Sequence, residues 1–241
     1  MTPVHVLAAS HGTDSPHGQQ QIHRLRGELE RLAGTHRPGV QLVFHEAYVD
    51  VQQPRLPEVL AALPAGEPAV VLPLLVADGV HTTEDISEAV GGRANTIAAA
   101  PLGALPALAR VLAARAAPHL DRARNVVLAA AGTRLDIGQR QIRELGALLA
   151  GLLGRPVLTG YCAGAQPRVG QLVAEADGQV LVLSALLAEG YFQGTLRSTG
   201  AWQVTSPLLP DVTITQCFLE RLFEALDEHP GVTKYDKPDG F

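Results

Sequence analysis

Apolar residues in the first half of this chain fall alternately into short continuous runs and into helical spacing. Residues 4–9 form a run suited to a buried strand. Ile22, Leu25, Leu29 and Leu32 then recur on one face of a helix over 16–32. Gly39 opens a second strand near 40–47, and Pro54 suits the first turn of a helix reaching 63. Residues 69–76 are continuously apolar, as in a parallel strand buried on both faces. A helix is predicted from Thr83, with Thr82 and Asp85 at capping-box spacing, followed by a strand near 96–100 and a helix over 105–116. This order is (βα)4, and right-handed crossovers make its sheet parallel.

The pattern then repeats. Strands are predicted over 126–131, 156–161 and 180–186, with helices reaching 153 and spanning 215–226. The sequence itself repeats as well. Gly12-Thr13 and Gly18-Gln19-x-Gln21-Ile22-x-x-Leu25 return 120 positions later as Gly132-Thr133 and Gly138-Gln139-x-Gln141-Ile142-x-x-Leu145. Asp78-Gly79-Val80-His81 returns as Glu189-Gly190-Tyr191-Phe192, and Tyr48 with Pro54-Arg55 as Tyr161 with Pro167-Arg168. The chain is therefore a tandem duplication, with one lobe over 1–119, a second over 124–229 and a tail over 230–241.

The copies differ where chemistry would lie. His11 faces Ala131 and His81 faces Phe192, and eight of the nine histidines stand at or before position 119. A four-stranded unit of this type usually runs 2-1-3-4, which puts the ends of strands 1 and 3 side by side at the crevice where open α/β sheets bind ligands. His11 follows strand 1 and His81 follows strand 3, so both are expected at one crevice. Imidazole, with an ordinary pKa of ~6.5, can ligate a divalent metal or accept a proton near neutrality. Ser10, Gly12, Thr13, Gly79 and Val80 flank the pair and are expected to contact a substrate. Asp50, past strand 2, could orient a histidine, attract a cation or equally cap its own loop. His5, His36 and His119 have no evident partner, and His45 within strand 2 reads as structural.

Composition narrows the remainder. At 241 residues, 46% hydrophobic and 18% charged with a net charge of −5, the chain has no basic stripe for nucleic acid. Its apolar runs fall short of the ~20 residues that span a bilayer. The start reads as a strand rather than a signal peptide. Two cysteines without a C-x-x-C point to buried thiols in a reducing cytoplasm, with neither disulfide nor iron–sulfur cluster. There is no G-x-G-x-x-G or Walker A motif for nucleotide. Ser10 stands where a phosphatase Arg-His-Gly signature would need arginine.

The loop Ser10-His11-Gly12-Thr13, the stretch Ala47-Tyr-Val-Asp-Val-x-x-Pro-x-Leu56 and Pro73-Leu-x-x-x-x-Gly-x-His-x-x-x-Asp-Ile86 resemble the class II metal chelatases. The nearest group is the sirohydrochlorin chelatases of sirohaem and cobalamin biosynthesis. The resemblance implies two flavodoxin-like lobes enclosing a tetrapyrrole cleft, with the metal-binding and catalytic pair at His11 and His81. It implies a lyase that takes Fe2+ or Co2+ as substrate and needs no resident cofactor. It also implies a polycarboxylate substrate, so Arg134, at the position of Asp14, and Arg168 and Arg197 are expected to grip carboxylates. Fusion of the lobes supplies a pseudo-dimer, so a monomer or weak dimer is expected. The competing readings are a metal or tetrapyrrole carrier and a chelatase for another tetrapyrrole.

Overall fold

A computed structural model describes residues 2–37 and 39–233, apart from the side chains of His81, Thr82, Val232 and Thr233. The chain runs β1 (Val4–Ser10), α1 (Pro16–His36), β2 (Leu42–Tyr48), α2 (Leu56–Ala62), β3 (Ala69–Pro73), α3 (Val80–Gly91), β4 (Thr96–Ala98) and α4 (Pro106–Ala116). A single 3-10 turn at Ala117–His119 joins the halves. Then follow β5 (Asn125–Ala130), α5 (Asp136–Leu153), β6 (Leu158–Tyr161), α6 (Val169–Glu175), β7 (Val180–Ser184), α7 (Tyr191–Arg197), β8 (Gln203–Val204) and α8 (Val212–Glu228). Of the expected tail, Pro230–Thr233 makes a short helix and 234–241 lie outside the described residues.

Both sheets are parallel, ordered β2-β1-β3-β4 and β6-β5-β7-β8. The strands alternate strictly between two cores. Val4, Val6 and Ala8 of β1 face one cluster with Val70 and Leu72 of β3, while Leu7, Ala9 and Val71 face another beneath α2 and α3. The rear sheet does the same, with Val126 and Leu128 on one side and Val127 and Val182 on the other. The first-named sides merge into one continuous core that crosses between the lobes, so the layers are helix, sheet, shared helices, sheet, helix.

That shared layer is built by exchange. Helix α4, from the first half, packs on α5 and β7, and α8, from the second, packs on α1 and β3. Leu108 and Leu112 of α4 and Phe218 and Leu222 of α8 are fully buried in the continuous core. Two arginines at matching places clip the exchange. Arg115 of α4 donates to the carbonyls of Pro207 and Leu208, and Arg221 of α8 donates to the carbonyl of Leu102. The repeat units 1–119 and 124–229 are thus units of sequence, and each lends its closing helix to the other's sheet.

Several local expectations need correction. Helix α3 begins at Val80 with Gly79 as N-cap, so Thr82 lies inside the helix rather than at its start. Helix α2 begins at Leu56 with Pro57 rather than Pro54 in its first turn. The second half also contains α6, α7 and β8, which the apolar pattern did not mark. Helix α1 starts where Ser15 Oγ accepts from the Gly18 N–H at 3.3 Å, and α5 stops at Gly154 in the left-handed region.

Candidate functional site

The carboxyl ends of both sheets open into one cleft of about 730 Å³ between the lobes. Each half supplies the same two loops. The front half contributes the loop after β1, from Ser10 to Ser15, and the segment after β3, from Leu74 to Val80. The rear half contributes Ala130 to Arg134 and Ala185 to Gln193. In the register of the front sheet Ala9 lies opposite Pro73, so the loops carrying His11 and His81 leave adjacent strand ends.

His11 is exposed in the cleft, and its carbonyl accepts from the Asp50 N–H at 3.1 Å. Gly12 turns the chain at φ +93°, where an added Cβ would press on Val51 and the Gln52 backbone. Its counterpart Gly132, at φ +100°, would drive a Cβ into the Ala163 carbonyl. Only glycine serves at this turn, which accounts for its presence in both copies. His81 stands in the first turn of α3, and its side chain lies outside the described residues. Among the described residues no group of three or more His, Cys, Asp or Glu side chains is placed to hold a metal ion.

Ser10, Gly12, Thr13, Gly79, Val80 and Arg134 all line the cleft. Arg134 is exposed there, and its guanidinium makes no ion pair among the described residues. The other two arginines are differently placed. Arg168 donates to the Cys162 carbonyl at 2.7 Å and borders a separate pocket of about 250 Å³. Arg197 forms a two-pronged pair with Glu189 at 2.5 and 2.9 Å. Asp50 is outside the cleft lining, and its carboxylate pairs with Arg55 at 3.2 Å. Burial, opposed by the nearby Arg168 guanidinium, pushes the Cys162 thiol up to about 11. Neither cysteine is in a disulfide.

Two features were not foreseen. The first is Arg26 of α1, buried at 8% exposure beneath the His11 loop. Its guanidinium donates to the Ala8 and Ala47 carbonyls, Ser10 Oγ and the Tyr48 hydroxyl, and pairs with Glu46 at 3.1 Å. It therefore ties the ends of β1 and β2 together just below His11. The repeat position is Gly146, where α5 approaches so closely that a Cβ would meet Thr159 Oγ1 at 2.8 Å. The second is His5, which bonds His45 Nε2 at 2.8 Å and Glu67 at 2.6 Å at the far end of the sheet, where no partner was expected.

Comparison with known proteins agrees with this geometry. Residues 5–118 match the CbiX family model. SirB from Bacillus subtilis, solved with Fe3+, superposes at a TM-score of 0.76 with 18% identity, covering 97% of this chain and 100% of that one. Sirohydrochlorin chelatase SirB from Bacillus subtilis subspecies spizizenii, in complex with cobalt, gives 0.70 and 19% over the same shares. CbiX, described as the terminal enzyme of sirohaem biosynthesis in denitrifying bacteria, gives 0.66 and 20% over 92% and 99%. No curated protein sequence matches the chain. Among the described residues, no helix is long and apolar enough to cross a membrane.

Proposed function

We propose that this chain, whose residues 5–118 match the CbiX family model, is a sirohydrochlorin chelatase that inserts Fe2+ or Co2+ into a tetrapyrrole for sirohaem or cobalamin biosynthesis. The observation that carries the reading is the asymmetry of the cleft. Its front loops bear His11 and lead into His81, while the rear loops, with the Gly12 turn repeated at Gly132, carry Ala131 and Phe192 in their place.

Insertion exchanges two pyrrolic N–H protons for one divalent ion, and the ion must shed water as it enters the ring. His11 and His81, as neutral imidazoles, hold the ion in an open shell or take up those protons. Ser10, Gly12, Thr13, Gly79 and Val80 shape the floor around them. Arg134, on the opposite wall and without a carboxylate of its own, receives a substrate carboxylate. The metal is a substrate, and no resident cofactor is needed. Fe2+ and Co2+ both suit imidazole, with Co2+ held more tightly. The protein works in the cytoplasm as a monomer or weak dimer, on neither nucleic acid nor membrane.

The test is an anaerobic assay with sirohydrochlorin and Fe2+ or Co2+, followed by absorption, on wild type, His11→Ala and His81→Ala. Many equivalents converted by wild type, with loss of at least about a hundredfold in each variant, support the reading. Conversion that stops at one equivalent makes the protein a carrier instead.

A further inference from the structure

Tyr191 is the first residue of α7 and, among the described residues, the most exposed large hydrophobic side chain, at 84%. It nevertheless lines the cleft, at the repeat position of Val80. Beside it the Phe192 ring lies at 5.7 Å and 57°, half-buried against the core under the rear sheet. Phe192 is thus a fixed backing, and Tyr191 is the face left open. The surrounding walls are aliphatic from both lobes, with Ile22 and Val76 from the front and Ile142 and Leu187 from the rear. The rear lobe also supplies Arg134, whose guanidinium makes no ion pair among the described residues.

An open aromatic face between aliphatic walls suits a flat conjugated ring, which gains offset stacking in addition to burial of its faces. The nearby guanidinium suits carboxylates on that ring's rim. We propose that Tyr191, backed by Phe192, is the face on which the substrate macrocycle stacks, so the rear lobe holds the ring while the front lobe handles the metal. This rests on the chelatase reading for the ring's identity. It also gives the rear loop a use beyond scaffold, since Tyr191 and Phe192 stand where the front loop has Val80 and His81.

The experiment titrates metal-free sirohydrochlorin and uroporphyrin, by fluorescence, into wild type, Tyr191→Ala and Tyr191→Phe. Co2+ binding and turnover are measured on the same proteins, with circular dichroism confirming the fold. Stacking predicts that Tyr191→Ala weakens ring binding about tenfold, that Tyr191→Phe stays within about twofold, and that the Co2+ affinity is unchanged. Ring affinity equal in Tyr191→Ala and wild type overturns the stacking face, and the chelatase reading survives if turnover persists. Tyr191-dependent ring binding without turnover by wild type leaves the stacking face standing and removes the chelatase reading. Failure of wild type to bind either ring removes both.

Discussion

Gln141 holds Asp78 with both ends of its amide: its Oε1 accepts from the Asp78 N–H at 2.9 Å and its Nε2 donates to Oδ2 at 2.7 Å. The mirror clasp uses Gln21, whose Oε1 accepts from the Glu189 N–H at 2.8 Å while its Nε2 donates to the Leu209 carbonyl at 2.7 Å. Each lobe's first helix therefore grips the other lobe's cleft loop, directly before the glycine that leads to Val80-His81 or Tyr191-Phe192. These crossed clasps set the spacing of the two walls.

Gln21 is buried at 6% exposure and Gln141 is half-buried, so their removal should cost unequally. Gln21→Ala strands the half-buried Glu189 N–H and the buried Leu209 carbonyl and is expected to cost about 2 kcal/mol, against about 1 kcal/mol for Gln141→Ala. Urea denaturation of both variants checks the order.

Gly18 and Gly138 sit where a Cβ would enter the carbonyls of Glu189 and Asp78 respectively, deep inside contact distance. Gly18→Ala and Gly138→Ala should each destabilise by about 1–3 kcal/mol and loosen the cleft. Gly27→Ala on the same helix as Gly18 has open space around it and should stabilise by about 0.5–1 kcal/mol. Opposite signs for two alanines nine positions apart, read from thermal or urea melts, test the close approach directly.

Arg26→Leu removes a buried cation that serves four oxygen acceptors besides the Glu46 carboxylate. A loss of about 3 kcal/mol is expected, with Arg26→Lys recovering only part of it because an ammonium lacks the flat fork. Chelation by Arg26→Lys, measured below its unfolding transition, should also fall, since Ser10 and with it the His11 loop lose their anchor.

His45 supplies a pH dependence. Burial first, then the neighbouring His5 ring, lowers it below the ordinary 6.5. The unfolded chain therefore takes up this proton at a higher pH than the folded one, and stability falls as pH drops through and below about 6.5. His45→Gln should flatten that part of a plot of stability against pH between 5 and 8, while leaving the plateau above it nearly level.

The parallel sheets and their 2-1-3-4 order were readable because the strands are apolar runs and the helices amphipathic, and because the duplication showed the pattern twice. Helices α6 and α7 were not, since each is 7 residues long and carries a glycine, too little for a periodicity to register. The exchange of α4 and α8 leaves no mark in sequence order, because either helix offers the same apolar stripe to whichever sheet it meets. In the cleft, His11 stood out through its replacement in the copy. Arg26 carried a signal that went unread: it lies four positions after Ile22 on the stripe with Leu25 and Leu29, a charge where the pattern demands an apolar residue. Gln21 and Gln141 were visible as repeated letters, but their grip on Glu189 and Asp78 is a relation across the cleft that no single helix reveals. Asp50 and Arg168 have nearby partners, Arg55 and the Cys162 carbonyl, which their spacing along the chain does not reveal.

The crossing of α4 and α8 bears on how the two copies have kept company. A front half deprived of α8 would expose the apolar flank of β3 and α1, and a rear half deprived of α4 would do the same at β7 and α5. Each copy covers its sheet only with a helix from the other, so the rear copy, with Ala131 and Phe192 in place of imidazoles, is as necessary to the front sheet as the front copy is to its own.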